Sequence, residues 1–286
     1  MSVSPADARM LGRPIKGPSA LGDDLGRVAH LTVTLAVMEF KLRFFGSVLG
    51  YFWSLARPLM LFGVLYVVFT EFVRLGEGVP FYPAILLTSI VLYMFFAEAT
   101  SGALTSVVDR ETLVRKIAFP RVVVPLAVIL TALFNLALNL VAVLVFVLAT
   151  GVRPKVEWLA APILLILLAA LALGVSMILS SLYVRFRDLA PIWDVVLQVL
   201  FYGSPILYVL ELIPSDTLKE LIPIVNPLAT ILVQTRHTLI DPSAPNAWDA
   251  AGGFAYLAIP GAMVLVLLVG GLWLFNREAP RIAEEL

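Results

Sequence analysis

Long apolar runs separated by short polar stretches dominate the chain. A helical membrane crossing needs about 20 apolar residues, because a rise of about 1.5 Å per residue must cover about 30 Å of hydrocarbon. Residues 82–107, 122–149, 159–183, 189–209 and 254–275 meet that requirement, and residues 50–72 meet it with Arg57-Pro58 near the start. An arginine at mid-bilayer costs about 2.5–3.5 kcal/mol, whereas near the end of a span it reaches the headgroups. Arg57 is therefore expected at the membrane edge. The pattern predicts an all-α membrane protein of six spans.

Two further stretches are apolar but do not read as spans. Residues 25–45 carry Val28, Leu31, Leu35, Met38 and Leu42 at helical spacing, and Ala29, Val33, Val37, Phe40 and Phe44 on another side. Two apolar faces divided by a thin polar line predict a helix at the membrane interface, touching lipid on one side and the bundle on the other; a plain lipid-anchoring helix is the alternative. Between the fifth and sixth spans, Leu218–Val225 and Leu228–Leu239 are too short to cross, and six prolines punctuate the region 203–253. Short interfacial or re-entrant helices are expected there. The polar residues 1–24 are expected to form a cytoplasmic tail, which divides the chain into tail 1–24, interface helix 25–45 and transmembrane domain 46–286. No repeat of 20–50 residues and no inverted repeat is visible.

Composition supports lipid as the solvent. The 286 residues are 60% hydrophobic and 14% charged, against about 45–50% and 25% in soluble domains, and mean hydropathy is +0.98. Net charge is zero, so nothing argues for nucleic acid. Charge also sets orientation. With the N-terminus inside, the outer segments hold only Arg74, Arg153, Lys155, Lys219 and Arg236 of the 20 Lys and Arg residues. The positive-inside rule then places both termini in the cytoplasm.

The sequence excludes several chemistries. It has no cysteine, and its two histidines, His30 and His237, are far apart, so neither a catalytic cluster nor a metal site is expected. No G-x-x-x-x-G-K-[ST] segment occurs, so a chain driven by ATP must take it from another polypeptide. The loop Asp109–Arg121 is short and dense in both signs of charge, with Pro120 placed to end its helix. Such a loop is either a lever seated in a partner's groove or an ordinary positively charged inner loop.

Polar groups inside spans narrow the search. Asn135 and Asn139 share one helix face, where hydrogen bonds between helices are the ordinary role. Glu98 and Gln198 should face protein or water, and Glu98 is a candidate for a path wall or a cation's partner. Tyr66, Phe69, Tyr93, Phe95 and Phe96 could line a path or simply pack. Arg185, Arg187 and Asp188 end the fourth span as edge anchors, unless the guanidinium groups of Arg185 and Arg187 meet a phosphate headgroup.

Five segments in order carry a resemblance: Glu39–Trp53 with Pro58, Leu113–Arg121, Val184–Asp188, Ser204–Tyr208 and Asn226-Pro227. Together they resemble the ABC-2-type permeases that export polysaccharides such as O-antigen, teichoic acid and galactan. The resemblance covers roughly residues 25–281 and implies a non-enzymatic transport subunit of the bacterial cytoplasmic (inner) membrane. It implies a homodimer of six-span subunits with a translocation path between them, and two copies of a separate P-loop ATPase that carries ATP and Mg, with no cofactor in this chain. It implies that Glu39, Lys41, Arg43, Glu111, Arg115, Lys116, Phe119, Pro120 and Arg121 face the ATPase, and that Ser204, Pro205, Tyr208, Asn226 and Pro227 form an outer gate. The implied cargo is a polyprenyl-diphosphate-linked glycan. An unpaired hydroxyl in hydrocarbon costs roughly 2–7 kcal/mol, so a glycan needs a wet or hydrogen-bonding path. The alternatives are an ABC-2-type exporter of another lipid or a drug, a stand-alone flippase, and a polyprenyl transferase. The last two call for intramembrane ionisable groups or acidic clusters that this chain scarcely offers.

Overall fold

A computed structural model describes residues 25–44, 50, 52–114 and 119–285. The chain is an all-α multi-pass membrane protein. Helix α1 (Leu25–Phe44) precedes the first span α2 (Phe52–Val67), which ends in a π-helical turn over Val68–Phe72. The second span is α3 (Tyr82–Asp109), followed by the short α4 (Glu111–Val114). The third span is α5 (Val123–Ala149) and the fourth is α6 (Ala161–Tyr183). After the fifth, α7 (Leu189–Gly203), come α8 (Asp216–Val225), α9 (Pro227–Leu239) and α10 (Ala247–Ala250). The last span is α11 (Ala258–Glu285). Among the described residues five helical stretches are long and apolar enough to cross a membrane; α7 is the shorter sixth.

Helix α3 is the axis of the bundle. Of its most apolar window 78% is buried inside the protein, against 17% for the first and last spans. It packs on α5 and α6, with α2 and α7 also against it, while α11 lies along α6. The contact between α6 and α11 is made backbone to backbone. A Cβ on Gly271 would lie 2.3 Å from the Gly174 carbonyl oxygen, and one on Gly174 would lie 2.5 Å from the Leu267 carbonyl carbon. Only paired glycines let the two helices cross this closely.

The fifth span is shorter than the apolar run 189–209. Its helix stops at Gly203 because Pro205 disfavours helical backbone at Ser204, which is extended (φ −103°, ψ 154°). The following segment is irregular but buried: Ser204 is 0% exposed and Ile206 1%. Tyr82 donates its hydroxyl to the Leu207 carbonyl at 2.7 Å. Irregular backbone at membrane depth is tolerated where protein, not lipid, surrounds it.

Helix α1 packs on α5 through a face that keeps Val28, Leu31 and Leu35 of the first face read in the sequence but turns away from Met38 and Leu42. Val28, Thr32 and Ala36 are buried, with Leu31, Leu35 and Phe40 half-buried beside them, whereas Met38 and Leu42 point outward with Val33. The small side chains permit close approach. Thr131 Oγ1 donates to the Ala36 carbonyl at 3.3 Å, and Phe40 meets Phe134 edge-on at 5.6 Å.

Glu39 of α1 pairs with Arg110 at 2.7 Å, beyond the end of α3. Its carboxyl lies above its usual range because burial outweighs the pull of Arg110 and Arg43. A raised carboxyl favours the folded state below its unfolded pKa, and that advantage is lost as pH rises through the folded one. Arg110→Gln should therefore cost about 1–2 kcal/mol at neutral pH, by leaving a desolvated carboxylate. Adding Glu39→Gln should restore most of the loss and flatten the pH dependence. Thermal melting of the detergent-solubilised variants between pH 5 and pH 8 checks both, and an additive double variant would contradict them.

Candidate functional site: a polar cavity beneath a hydrogen-bonded cap

Three spans and α1 line an open cavity of about 870 Å³. Arg43 contributes from α1, and Trp53, Ser54, Arg57 and Met60 from α2. Phe95, Glu98 and Ser101 line it from α3, and Asn135 and Asn139 from α5. Glu98 lies about three turns from Asp109 along α3, roughly 16 Å at the helical rise. Asn135 is at a similar depth from the start of α5. The polar floor is therefore well inside the bundle and is shared by antiparallel helices.

Glu98 is the node of this floor. It accepts hydrogen bonds from the Arg43 guanidinium and, at 2.7 Å, from Asn135 Nδ2. Asn139 Nδ2 donates to the Asn135 carbonyl at 2.9 Å, which keeps that helix face polar. A carboxylate in a bundle is tolerated when a cation and an amide satisfy it. Arg57, expected at the membrane edge, lies on the wall of this cavity.

The other aromatic candidates lie elsewhere. Tyr66 stacks on Phe62 at 5.6 Å, Phe62 packs edge-on against Phe146 at 5.3 Å, and Phe69 is half-buried against the core. Tyr93 turns towards the fifth span, donating to the Leu197 carbonyl at 2.6 Å and meeting Phe201 edge-on at 5.0 Å. Phe96 packs on Trp193 at 6.4 Å, whose indole N–H donates to Thr100 at 3.1 Å. Of the six residues proposed to line a path, Phe95 and Glu98 are on the cavity wall.

At the opposite end, the segment between the fifth and sixth spans folds as a cap. Asn226 accepts from the Leu228 and Ala229 backbone N–H groups at 3.1 and 3.3 Å, capping α9, with Pro227 at the first turn. Its Nδ2 donates to Ser204 Oγ at 2.9 Å, so one side chain joins α9 to the end of the fifth span. Tyr208 lies near Pro205 in a small cleft with Arg236. Burial raises the Tyr208 phenol above its usual range. Arg236, nearly buried, pairs with Glu211 at 2.8 Å and approaches Asp241 at 3.6 Å, a cluster that sequence spacing did not reveal. Asn226→Ala removes a cap and a tether together and should cost about 1–2 kcal/mol. Asn226→Asp keeps the cap without the donor to Ser204, so its thermal melting separates the two contributions.

The segment at the Asp109 end is partly anchored. Phe119 is half-buried, Pro120 is buried, and Arg121 donates to the Ala279 carbonyl of α11. Glu111 is half-buried and Lys41 exposed. Arg115 and Lys116 lie outside the described residues, as do 1–24, 45–49 and 51. Arg185 lies 3.9 Å from Glu278 of α11, and Arg187 sits over the Tyr183 ring at 5.1 Å. Among the described residues no group of three or more His, Asp or Glu residues is placed to hold a metal ion.

The sequence model of the ABC-2 type transporter family matches residues 30–239, well over half of the chain, from within α1 to the end of α9. The chain belongs to the ABC-2 type transporter family. An O-antigen export system permease protein RfbA from Klebsiella pneumoniae is 29% identical over 264 residues, which is 92% of this chain and 97% of that protein. Another from Myxococcus xanthus is 27% identical over 263 residues, 92% of this chain and 98% of that protein. The match therefore runs over nearly all of both chains. In this ABC-2 type permease the cavity lies against the middle of α3 and the cap at its Tyr82 end, and the family stretch contains every cavity residue named above and the cap as far as Leu239.

Proposed function

We propose that the chain is the membrane subunit of an ABC transporter that exports a polyprenyl-diphosphate-linked polysaccharide across a bacterial cytoplasmic membrane. Alignment over nearly the full length with O-antigen export permeases carries this reading. The polar cavity supports it, because a glycan with many hydroxyl groups needs hydrogen-bonding walls in place of lipid. Two copies of the chain work with two copies of a P-loop ATPase, which binds ATP and Mg. Both termini are cytoplasmic, as the distribution of Lys and Arg indicates.

In this arrangement Glu39, Lys41, Arg43, Glu111, Arg115, Lys116, Phe119, Pro120 and Arg121 form the side that receives movement from the ATPase. Phe95 and Glu98, on the cavity wall, contribute to the path directly, and Tyr66, Phe69, Tyr93 and Phe96, packed against neighbouring side chains, shape it from behind. Ser204, Pro205, Tyr208, Asn226 and Pro227 form the outer gate, and Arg185 and Arg187 meet the headgroup at the inner edge. The test is depletion of the chain in its own cell. Lipid-linked glycan should accumulate on the cytoplasmic side; unchanged surface glycan with no accumulation would contradict the cargo and return the reading to another lipid or a drug.

A further inference from the structure

The cavity holds one cation engaged by an internal carboxylate and one that makes no ion pair among the described residues. Arg43 is held by Glu98. Arg57, on the same wall, has no such partner. Arg57 is exposed at the cavity wall, and phosphate oxygens suit the geometry of its guanidinium.

A second observation concerns Asn135, only 4% exposed. Its Nδ2 donates to Glu98, while its Oδ1 has no hydrogen-bond partner. Turning the amide over would set its carbonyl against the carboxylate, so Glu98 fixes the orientation. A buried acceptor is thus left unpaired on a residue that lines the cavity. Phosphate oxygens offer no donor to it; a sugar hydroxyl does. The wall also presents Trp53 and Phe95, whose faces suit the apolar C–H surface of a pyranose ring.

We infer that this cavity binds a phosphate with a hydroxylated sugar beside it, and that Glu98 is a resident stand-in for that phosphate, holding Arg43 until the ligand displaces it. Arg57 makes the first contact. The arriving phosphate then competes with Glu98 for Arg43, and the sugar donates to Asn135 Oδ1. Displacement of Glu98 loosens α1 from α3, so occupancy is felt at the helix that also carries Glu39. The inference rests on the proposed export role for its choice of a glycosyl phosphate.

The test is equilibrium binding to the full-length chain in phosphatidylcholine nanodiscs. The probe is a short polyprenyl diphosphate bearing one N-acetylhexosamine, compared with the same lipid without sugar, inorganic diphosphate and phosphatidylglycerol. Arg57→Gln should weaken the glycosylated probe about tenfold, the loss of one charge-assisted contact. Glu98→Gln should tighten it by roughly threefold or more, because the competing carboxylate is gone. Asn135→Leu should erase the preference for the sugar-bearing lipid, so that the lipids with and without sugar bind alike, and an unchanged melting temperature reports that the variant is folded.

Glu98→Gln binding more weakly than the parent, with an unchanged melting temperature, overturns the stand-in role. Inorganic diphosphate or phosphatidylglycerol competing as well as the glycosylated probe overturns the sugar assignment. These outcomes separate from the fate of the export reading. If the variants split as stated but a reconstituted complex moves no lipid-linked glycan, the site stands and the export role falls. If export is observed and Glu98→Gln weakens binding, the inference alone falls.

Discussion

Gly271→Ala or Gly174→Ala should destabilise the bundle by about 3 kcal/mol, the upper part of the range for overpacking. The added methyl group would meet backbone in both cases: Gly174 carbonyl oxygen at 2.3 Å in one, and Leu267 carbonyl carbon at 2.5 Å in the other. Side chains can rotate away from a clash, but a helix backbone can only translate. Separating α6 from α11 would sacrifice packing along both helices. Gly270 provides the internal comparison, since a Cβ there meets nothing within 4 Å. Gly270→Ala should leave the melting temperature unchanged or slightly raised, as expected from helix propensity. A large loss at Gly270, or none at Gly174 and Gly271, would refute the close crossing.

Arg115→Glu combined with Lys116→Glu should abolish ATP-driven export, by about a hundredfold or more if the loop provides the docking charge, while insertion and folding persist. The magnitude follows from replacing two favourable contacts by two repulsive ones, each worth one to several kcal/mol across an interface. The end of this loop is fixed to the bundle. Pro120 is buried and Arg121 donates to the Ala279 carbonyl, which ties the described end of the loop to α11 just before α5 begins. Unchanged export and unchanged stimulation of the ATPase in the double variant would remove the loop from the coupling path. Loss of the folded protein in detergent would point to a structural role instead.

Much of the architecture was legible because lipid imposes a length rule. The apolar runs 82–107, 122–149 and 159–183 coincide with the helical stretches Tyr82–Asp109, Val123–Ala149 and Val156–Tyr183, and the prolines of residues 203–253 mark that region as non-spanning. The end of the fifth span was misjudged by the same rule. The apolar run continues to Val209, but Gly203-Ser204-Pro205 stops the helix, a local backbone signal that hydropathy does not register.

Side-chain direction was the harder problem. Helix α3 is apolar around its whole circumference and buried on nearly all sides, so no periodicity distinguishes Tyr93 and Phe96, which face the fifth span, from Phe95 and Glu98, which face the cavity. Thr32 and Glu39 on the bundle side of α1 likewise broke the apolar pattern, because small size and ion pairing decided that face. The Arg43–Glu98 pair joins residues 55 apart in sequence, and nothing in their local spacing announces it. Glu98 stands out in the sequence for its chemistry and Arg43 only through the family resemblance; the fold shows that they meet.

The most direct measurement is translocation of a lipid-linked glycan in sealed proteoliposomes, with and without the companion ATPase. Movement that requires both the ATPase and ATP is the predicted result. Equal movement by this chain alone, with no nucleotide present, would contradict the claim that its work is powered from another polypeptide.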